Sequence, residues 1–145
     1  DEAKMEVLPE ADSFSTETIS ISVGDVEYYA ANNGAGYVFN TSYKGYAGAV
    51  GVMTGISADG EITGVKVVEC NETPGLGMKA QSDPSFTAQY VMAIPDGGTF
   101  EVTKTGKTAD NQIDAISGAT ITSRAVTNSV NYAIEAYQQI TGGAN

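Results

Sequence analysis

The run Asp114-Ala-Ile-Ser117-Gly118-Ala119-Thr120 sets a carboxylate, two hydroxyls and a glycine immediately ahead of an amphipathic segment. That segment predicts a helix beginning near Thr122 or Ser123. The Thr120 hydroxyl then falls just before a helix N-terminus, where unsatisfied N–H groups and the positive end of the helix dipole attract an anion. A phosphoester on Thr120 would be electrostatically favoured there. Gly118 permits close approach or a positive φ, Ala119 leaves the position uncrowded, and Ser117 can hydrogen-bond a phosphate or the loop. The plainer reading of Ser117 to Thr120 is an N-cap built from small residues, which are common at helix starts.

A second stretch, Glu72-Thr73-Pro74-Gly75-Leu76-Gly77, holds too much proline and glycine for a strand or helix. It sets an apolar Leu76 between two glycines, which free the backbone to approach a flat ligand. Its plainer reading is a Pro-Gly turn leaving a strand. In this order the two stretches resemble the FMN-binding domain family. The G subunit of the Rnf electron-transport complex and the C subunit of the sodium-pumping NADH:quinone reductase share the ETPGLG loop. The pattern Asp-x-x-[Ser/Thr]-Gly-Ala-Thr is what a flavin transferase reads when it esterifies the last threonine with the phosphate of FMN.

The resemblance covers about residues 26–140. It implies FMN held covalently on Thr120, with Asp114 and Ser117 as recognition positions for the transferase and Ser117, Gly118 and Ala119 beside the cofactor. It further implies an isoalloxazine packed on the upstream loop: Thr73 and the local amides, Gly75 and Gly77 among them, at the ring's polar edge, Leu76 over one face, and Glu72 and Lys79 tuning the charge nearby. The function so implied is electron transfer, without independent catalysis, as a subunit of an Rnf-type ion-translocating ferredoxin:NAD oxidoreductase among other membrane subunits. The implied place is the extracytoplasmic face of the membrane, reached by an N-terminal helix absent from this chain. Two other readings stay open: a free-standing extracytoplasmic flavoprotein for extracellular electron transfer, and a non-redox binding module.

Composition narrows the classes. A chain of 145 residues predicts one domain, and 17 glycines with 41 % hydrophobic residues favour a turn-rich, strand-containing body. Eighteen acidic residues against seven basic ones give a net charge of −11, which repels a phosphate backbone and an anionic lipid surface; nucleic acid is excluded as a partner. With no histidine and the single cysteine Cys70, neither a zinc site nor a serine-hydrolase triad nor an intrachain disulfide is expected. No stretch approaches the roughly 18 apolar residues of a membrane span, so the domain is expected not to be membrane-inserted. Residues 1–16 are expected as a stalk or linker remnant and 17–145 as a single FMN-binding domain.

The elements that must position these residues follow from periodicity. Thr18–Val23 alternates with period two and predicts a strand ended by Gly24-Asp25. Val26–Ala31 and Gly36–Tyr43 flank the turn residues Asn32-Asn33-Gly34, and Ala47–Ser57 and Glu61–Glu69 flank Ala58-Asp59-Gly60. Ser82-Asp83-Pro84 opens a short helix running to Met92, and Phe100–Lys104 predicts a short strand. In the last helix Val126, Val130, Ala133, Ile134, Tyr137 and Ile140 share one face, Ser129, Asn131, Gln138 and Gln139 lie away from it, and Gly142-Gly143 stop it. The fold class is α+β: an antiparallel sheet of consecutive hairpins with a short middle helix and the C-terminal helix packed on it.

Three look-alikes fail. Gly75-x-Gly77-x-x-Ala80 fits a dinucleotide fingerprint but lacks a parallel βαβ setting. Gly106-Lys107-Thr108 ends like a P-loop without the first glycine. Asn40-Thr41-Ser42 and Asn71-Glu72-Thr73 fit the glycosylation triplet, which arises often by chance. Cys70 reads as a small apolar strand-end residue rather than a redox partner. Tyr28, Tyr29, Tyr37, Tyr43 and Tyr46 read mostly as strand packing, with one of them available to stack on a ring.

Overall fold

The computed structural model describes residues 2–45, 48–70, 78–82, 84–95, 97–106 and 108–142. The chain forms α1 (Glu2–Val7), β1 (Phe14–Ile21), β2 (Gly24–Ala31), β3 (Gly36–Lys44), β4 (Ala49–Ser57) and β5 (Ile62–Glu69). It continues through α2 (Lys79–Ser82), α3 (Pro84–Ala88), β6 (Glu101–Thr103), β7 (Gln112–Asp114) and α4 (Thr120–Ile140). Strands β1 to β5 build one antiparallel sheet in chain order, the α+β arrangement of hairpins expected from alternation.

The first hairpin turns earlier than the sequence suggests. Ile21 pairs with Gly24, so the turn is Ser22-Val23, and Gly24, at φ +133°, opens β2 instead of ending β1. The ladder already starts at Phe14, which shifts the whole strand back. Asp25 then accepts the Ser20 hydroxyl across the turn at 2.6 Å.

One face of the sheet is covered by α4. Val126, Val130, Ala133 and Ile134 are fully buried against a cluster that includes Phe39, Val50, Val52, Ile56, Val65 and Val67. Each large aliphatic side chain so buried contributes about 1.5–3 kcal/mol relative to exposure. The buried arc is wider than the expected stripe: Ser129, assigned to the outward face, is fully buried, and its carbonyl accepts the Thr41 hydroxyl at 2.7 Å. The helix lies between the sheet and the segment leading into β6, where Asn131 donates to the Phe100 carbonyl at 3.0 Å and accepts its N–H at 2.8 Å. Two sides of the helix are therefore in contact with the rest of the chain. Of the tyrosines, Tyr28 and Tyr37 join Phe39 and Tyr137 in an aromatic cluster, and Tyr43 packs on Tyr132; Tyr46 lies outside the described residues.

The other face carries the N-terminal segment. Gly55 of β4 sits opposite Gly64 of β5. A Cβ on Gly55 would lie 2.1 Å from the Val7 carbonyl oxygen, and one on Gly64 would lie 2.8 Å from the Val7 Cα. The glycine pair thus admits backbone onto the sheet where side chains would hold it off. Thr63 donates its hydroxyl to the Val7 carbonyl, Lys66 pairs with Glu6 at 2.7 Å, and the Lys4 ammonium sits 3.9 Å from the centre of the Tyr29 ring. Val7, Leu8 and Ala11 bury themselves with Ala31 and Val38. Residues 1–16, expected as a stalk, thus include a helix and a crossing segment packed over the sheet, followed by the first residues of β1.

At the β5 edge the chain folds back to cover the strand. The Ile62 N–H donates to the Met92 carbonyl, the Ile94 N–H to the Gly60 carbonyl, and the Gln81 side chain to the Val67 carbonyl. The middle helix stops at Ala88, short of Met92, because Gln89, Tyr90 and Val91 donate to residues three positions back and tighten the chain into a turn. That turn drops Tyr90 into the core, fully buried, its hydroxyl sharing a 2.6 Å hydrogen bond with Thr127 of α4. The strand expected at Phe100–Lys104 is β6, and it pairs in parallel with β7, a strand that the sequence did not announce.

Candidate functional site

The run from Asp114 to Thr120 lies between β7 and α4, and its burial alternates in threes. Ile113 is fully buried, Ile116 packs against the core, and Ala119 is buried, while Asp114, Ser117 and Gly118 are exposed and Thr120 half-exposed. The apolar members anchor the segment and the polar ones face outward.

Its backbone is closed by a turn. The Ala119 N–H donates to the Ile116 carbonyl at 2.9 Å, and Gly118 takes φ +77° at the third position, the geometry of a type II turn that excludes most side chains there. The glycine of the Ser-Gly-Ala-Thr run is therefore required by the turn. Thr120 is the first residue of α4 rather than a residue ahead of it, which moves the helix start upstream of the expected Thr122 or Ser123. Ala119 occupies the N-cap position and brings no side-chain acceptor to the first turn. Ser, Thr, Asp and Asn are the residues preferred there, because their side-chain oxygen satisfies one of those N–H groups.

The polar contacts that hold the segment come from inside the protein. Ser123, fully buried in the first turn of α4, accepts the Ile116 N–H and donates to the Ala119 carbonyl, each at 2.9 Å. Gln89, just past α3, accepts the Asp114 N–H at 2.8 Å and donates to its carbonyl at 3.1 Å. On the other side, the Ala115 N–H donates to the Thr103 carbonyl of β6. An open cleft of about 430 Å³ runs along this region, lined by Phe86, Gln89, Asp114, Ile116 and Ser117. Ile121, next to Thr120, is 50 % exposed, an unusual setting for a large aliphatic residue.

Of the other expected site residues, Glu72, Thr73, Gly75, Leu76 and Gly77 lie outside the described residues, and Lys79 is described only as the first residue of α2. Of the described residues on either side of that loop, Cys70 and Ala80 are buried in the main core, which also holds Ile113 and Val126. Cys70 thus sits as a core residue at the end of β5. Sequence reasoning missed Ser123 and Gln89. Ser123 had a usable signal, since a serine four residues after a turn residue is at the spacing for bonding back to that carbonyl. Gln89 had none, because it reaches Asp114 only through the fold. Among the described residues no helix is long and apolar enough to cross a membrane.

Residues 45–135 match the FMN-binding domain family. The G subunit of the Na(+)-translocating ferredoxin:NAD(+) oxidoreductase complex of Acetobacterium woodii is 40 % identical over 155 aligned positions, covering 96 % of this chain and 74 % of that protein. The G subunit of the proton-translocating ferredoxin:NAD(+) oxidoreductase complex of Clostridium ljungdahlii is also 40 % identical, covering 83 % of this chain and 64 % of that protein. Among solved structures, the C subunit of the Na(+)-translocating NADH-quinone reductase of Parabacteroides distasonis superposes with a TM-score of 0.69 at 27 % identity, covering 86 % of this chain and 66 % of that one. The chain therefore spans between about two thirds and three quarters of the length of these relatives.

Proposed function

The chain belongs to the FMN-binding domain family, and from that premise we propose that it is the electron-transfer domain of a G subunit in an ion-translocating ferredoxin:NAD(+) oxidoreductase complex, with FMN esterified through its phosphate to Thr120. The observation that carries the attachment is the place of Thr120: first residue of a helix running to Ile140, behind an N-cap alanine that supplies no capping side chain. A phosphate on that hydroxyl would lie against the first-turn N–H groups and the positive end of the helix dipole, so the donor set fits a phosphodiester.

When bound, FMN supplies one- and two-electron redox chemistry. The work of this chain is to hold and shield it. Thr120 fixes the phosphate end, Gly118 keeps the backbone low enough for a bulky group, and Ser117 offers a hydroxyl at the same exposed rim. In this reading Glu72, Thr73, Gly75, Leu76, Gly77 and Lys79 meet the ring, with Leu76 over a face and Lys79 and Glu72 setting the nearby charge. The exposed Ile121 provides apolar surface beside the attachment point for the ring system to cover. Residues 17–145 make up the FMN-binding unit, and residues 1–16 carry the connection toward the membrane across the outer face of the sheet. The domain stands on the extracytoplasmic side, with the other subunits of the complex as partners and a flavin transferase acting during maturation.

Identity of 40 % to G subunits over 96 % of the chain supports the complex over a free-standing surface flavoprotein. Relatives equally identical at 40 % are named for sodium in one case and for protons in the other. The test is intact mass after co-expression with a flavin transferase. The wild-type chain should gain one FMN ester and Thr120→Ala none; a flavin adduct that persists in Thr120→Ala would refute the attachment.

A further inference from the structure

We propose that Arg124 holds the phosphate of the cofactor, its guanidinium closing over the ester on Thr120 from one helical turn away. The proposal rests on Thr120 carrying that ester.

Helix α4 contains two charged residues, Arg124 and Glu135, and each stands nearer the end that disfavours it. A helix attracts negative charge at its N-terminus and positive charge at its C-terminus, yet here the cation lies toward the first and the anion toward the second. Glu135 has a reason for its place, since it accepts both the N–H and the hydroxyl of Ser22, at 2.8 and 2.9 Å. For Arg124 the described residues offer none. It is exposed and makes no hydrogen bond or ion pair among them, although the sequence holds eighteen acidic residues against seven basic ones.

The partner an arginine favours on a helix is an acid four residues upstream, and for Arg124 that position is Thr120. The first turn of α4 contains no acidic residue at all. Esterification would turn Thr120 into the anion that this pattern lacks. Side chains on a helix lean toward its N-terminus, so the Arg124 stem runs back over the turn that Thr120 begins. A phosphodiester keeps two oxygens free of ester bonds; the uncapped N–H groups of the first turn suit one side of it, and the planar fork of arginine suits the pair. The ester alone fixes one atom of a flexible chain. A second hold on the phosphate sets the direction in which the rest of the cofactor leaves the helix.

Arg124 is the only arginine of the chain, so its Nε–H gives a single side-chain resonance of its kind in a nitrogen-15 spectrum, assigned without mutagenesis. Spectra are recorded on the wild-type chain with and without flavin, the loading confirmed by intact mass. On flavinylation the Nε–H should exchange with water about tenfold more slowly, as a hydrogen-bonded donor does. The second measurement is the urea midpoint of wild type and Arg124→Gln, each with and without flavin, at low salt. The gain in midpoint on flavinylation should be larger in wild type by roughly 0.3 M. Comparing the two gains cancels what the charge change does to the bare chain. An Nε–H exchange rate indifferent to the flavin would overturn the proposal, and so would equal gains in the two chains. If Arg124→Gln takes up no flavin, the wild-type spectrum decides alone. A wild-type chain that gains no flavin mass would instead overturn the assignment of Thr120, and this proposal with it.

Discussion

The two ends of α4 are fastened in opposite ways. Toward its C-terminus the helix is bound to other elements by long side chains: Glu135 accepts both the N–H and the hydroxyl of Ser22, at 2.8 and 2.9 Å, Gln139 donates to the Ser20 carbonyl at 2.9 Å, and the Tyr137 hydroxyl donates to the Ala58 carbonyl at 3.2 Å. At its N-terminus the helix instead holds its own preceding turn, through Ser123, and keeps the outer rim of that turn unoccupied by capping side chains. A helix anchored at one end and along its middle can leave its other end to a ligand without loss of position. Stability and attachment should therefore separate along the helix.

The sharpest way to break this comparison is a cavity at the anchored half. Ile134→Ala removes a fully buried side chain and should cost about 2–5 kcal/mol in urea unfolding, with flavin incorporation per folded molecule unchanged. If incorporation fell in step with stability, the two ends would not be independent. Next is Glu135→Ala, which removes both bonds to Ser22 and should cost about 1 kcal/mol, again without effect on attachment.

Midway, Tyr90 offers a test by pH. Burial pushes its phenol above the ordinary value of 10, partly offset by the hydrogen bond to Thr127. The folded state therefore keeps the proton where the unfolded state loses it. Stability from this residue is complete below pH 10 and declines as pH rises beyond it. In Tyr90→Phe that alkaline decline should be shallower than in wild type, read from the urea midpoint on either side of pH 10; an equal slope would assign the decline to other groups. The smallest effect on stability belongs to the free end. Asp114→Ala should shift the thermal midpoint by no more than a few degrees while lowering flavin incorporation, and normal incorporation would make Asp114 an ordinary loop residue.

Much of the fold was legible because hairpins and amphipathic helices announce themselves in short windows. The β4–β5 hairpin and the face of α4 from Val126 to Tyr137 follow directly from period two and period 3.6. The attachment segment was legible as a motif, yet the reasons for its residues were not: that Gly118 serves a type II turn and that Ala119 faces inward depend on Ile116 and Ser123 meeting. What stayed hidden depended on distant partners. The Val7-Leu8 pair is too short an apolar run to signal anything, and it becomes core only because Gly55 and Gly64 face each other across two strands. Ser129 looks outward on a helical wheel, but a wheel cannot show that β3 comes close enough for Thr41 to reach the Ser129 carbonyl. The parallel β6–β7 pair spans three residues on each strand, below the length at which alternation can be read.

The N-terminal segment crosses the outer face obliquely, from Lys66 and Gly64 on β5, past Val38 and Ala31, to the start of β1 at the opposite edge. It therefore acts mechanically as a sling. Tension applied at Glu2 is met first by the seat of Val7 on the glycine pair and then by the crossing residues, before any of it can peel β1 from β2. A pull along the chain thus loads the sheet across its breadth, and the face bearing α4 and Thr120 is the side turned away from the load.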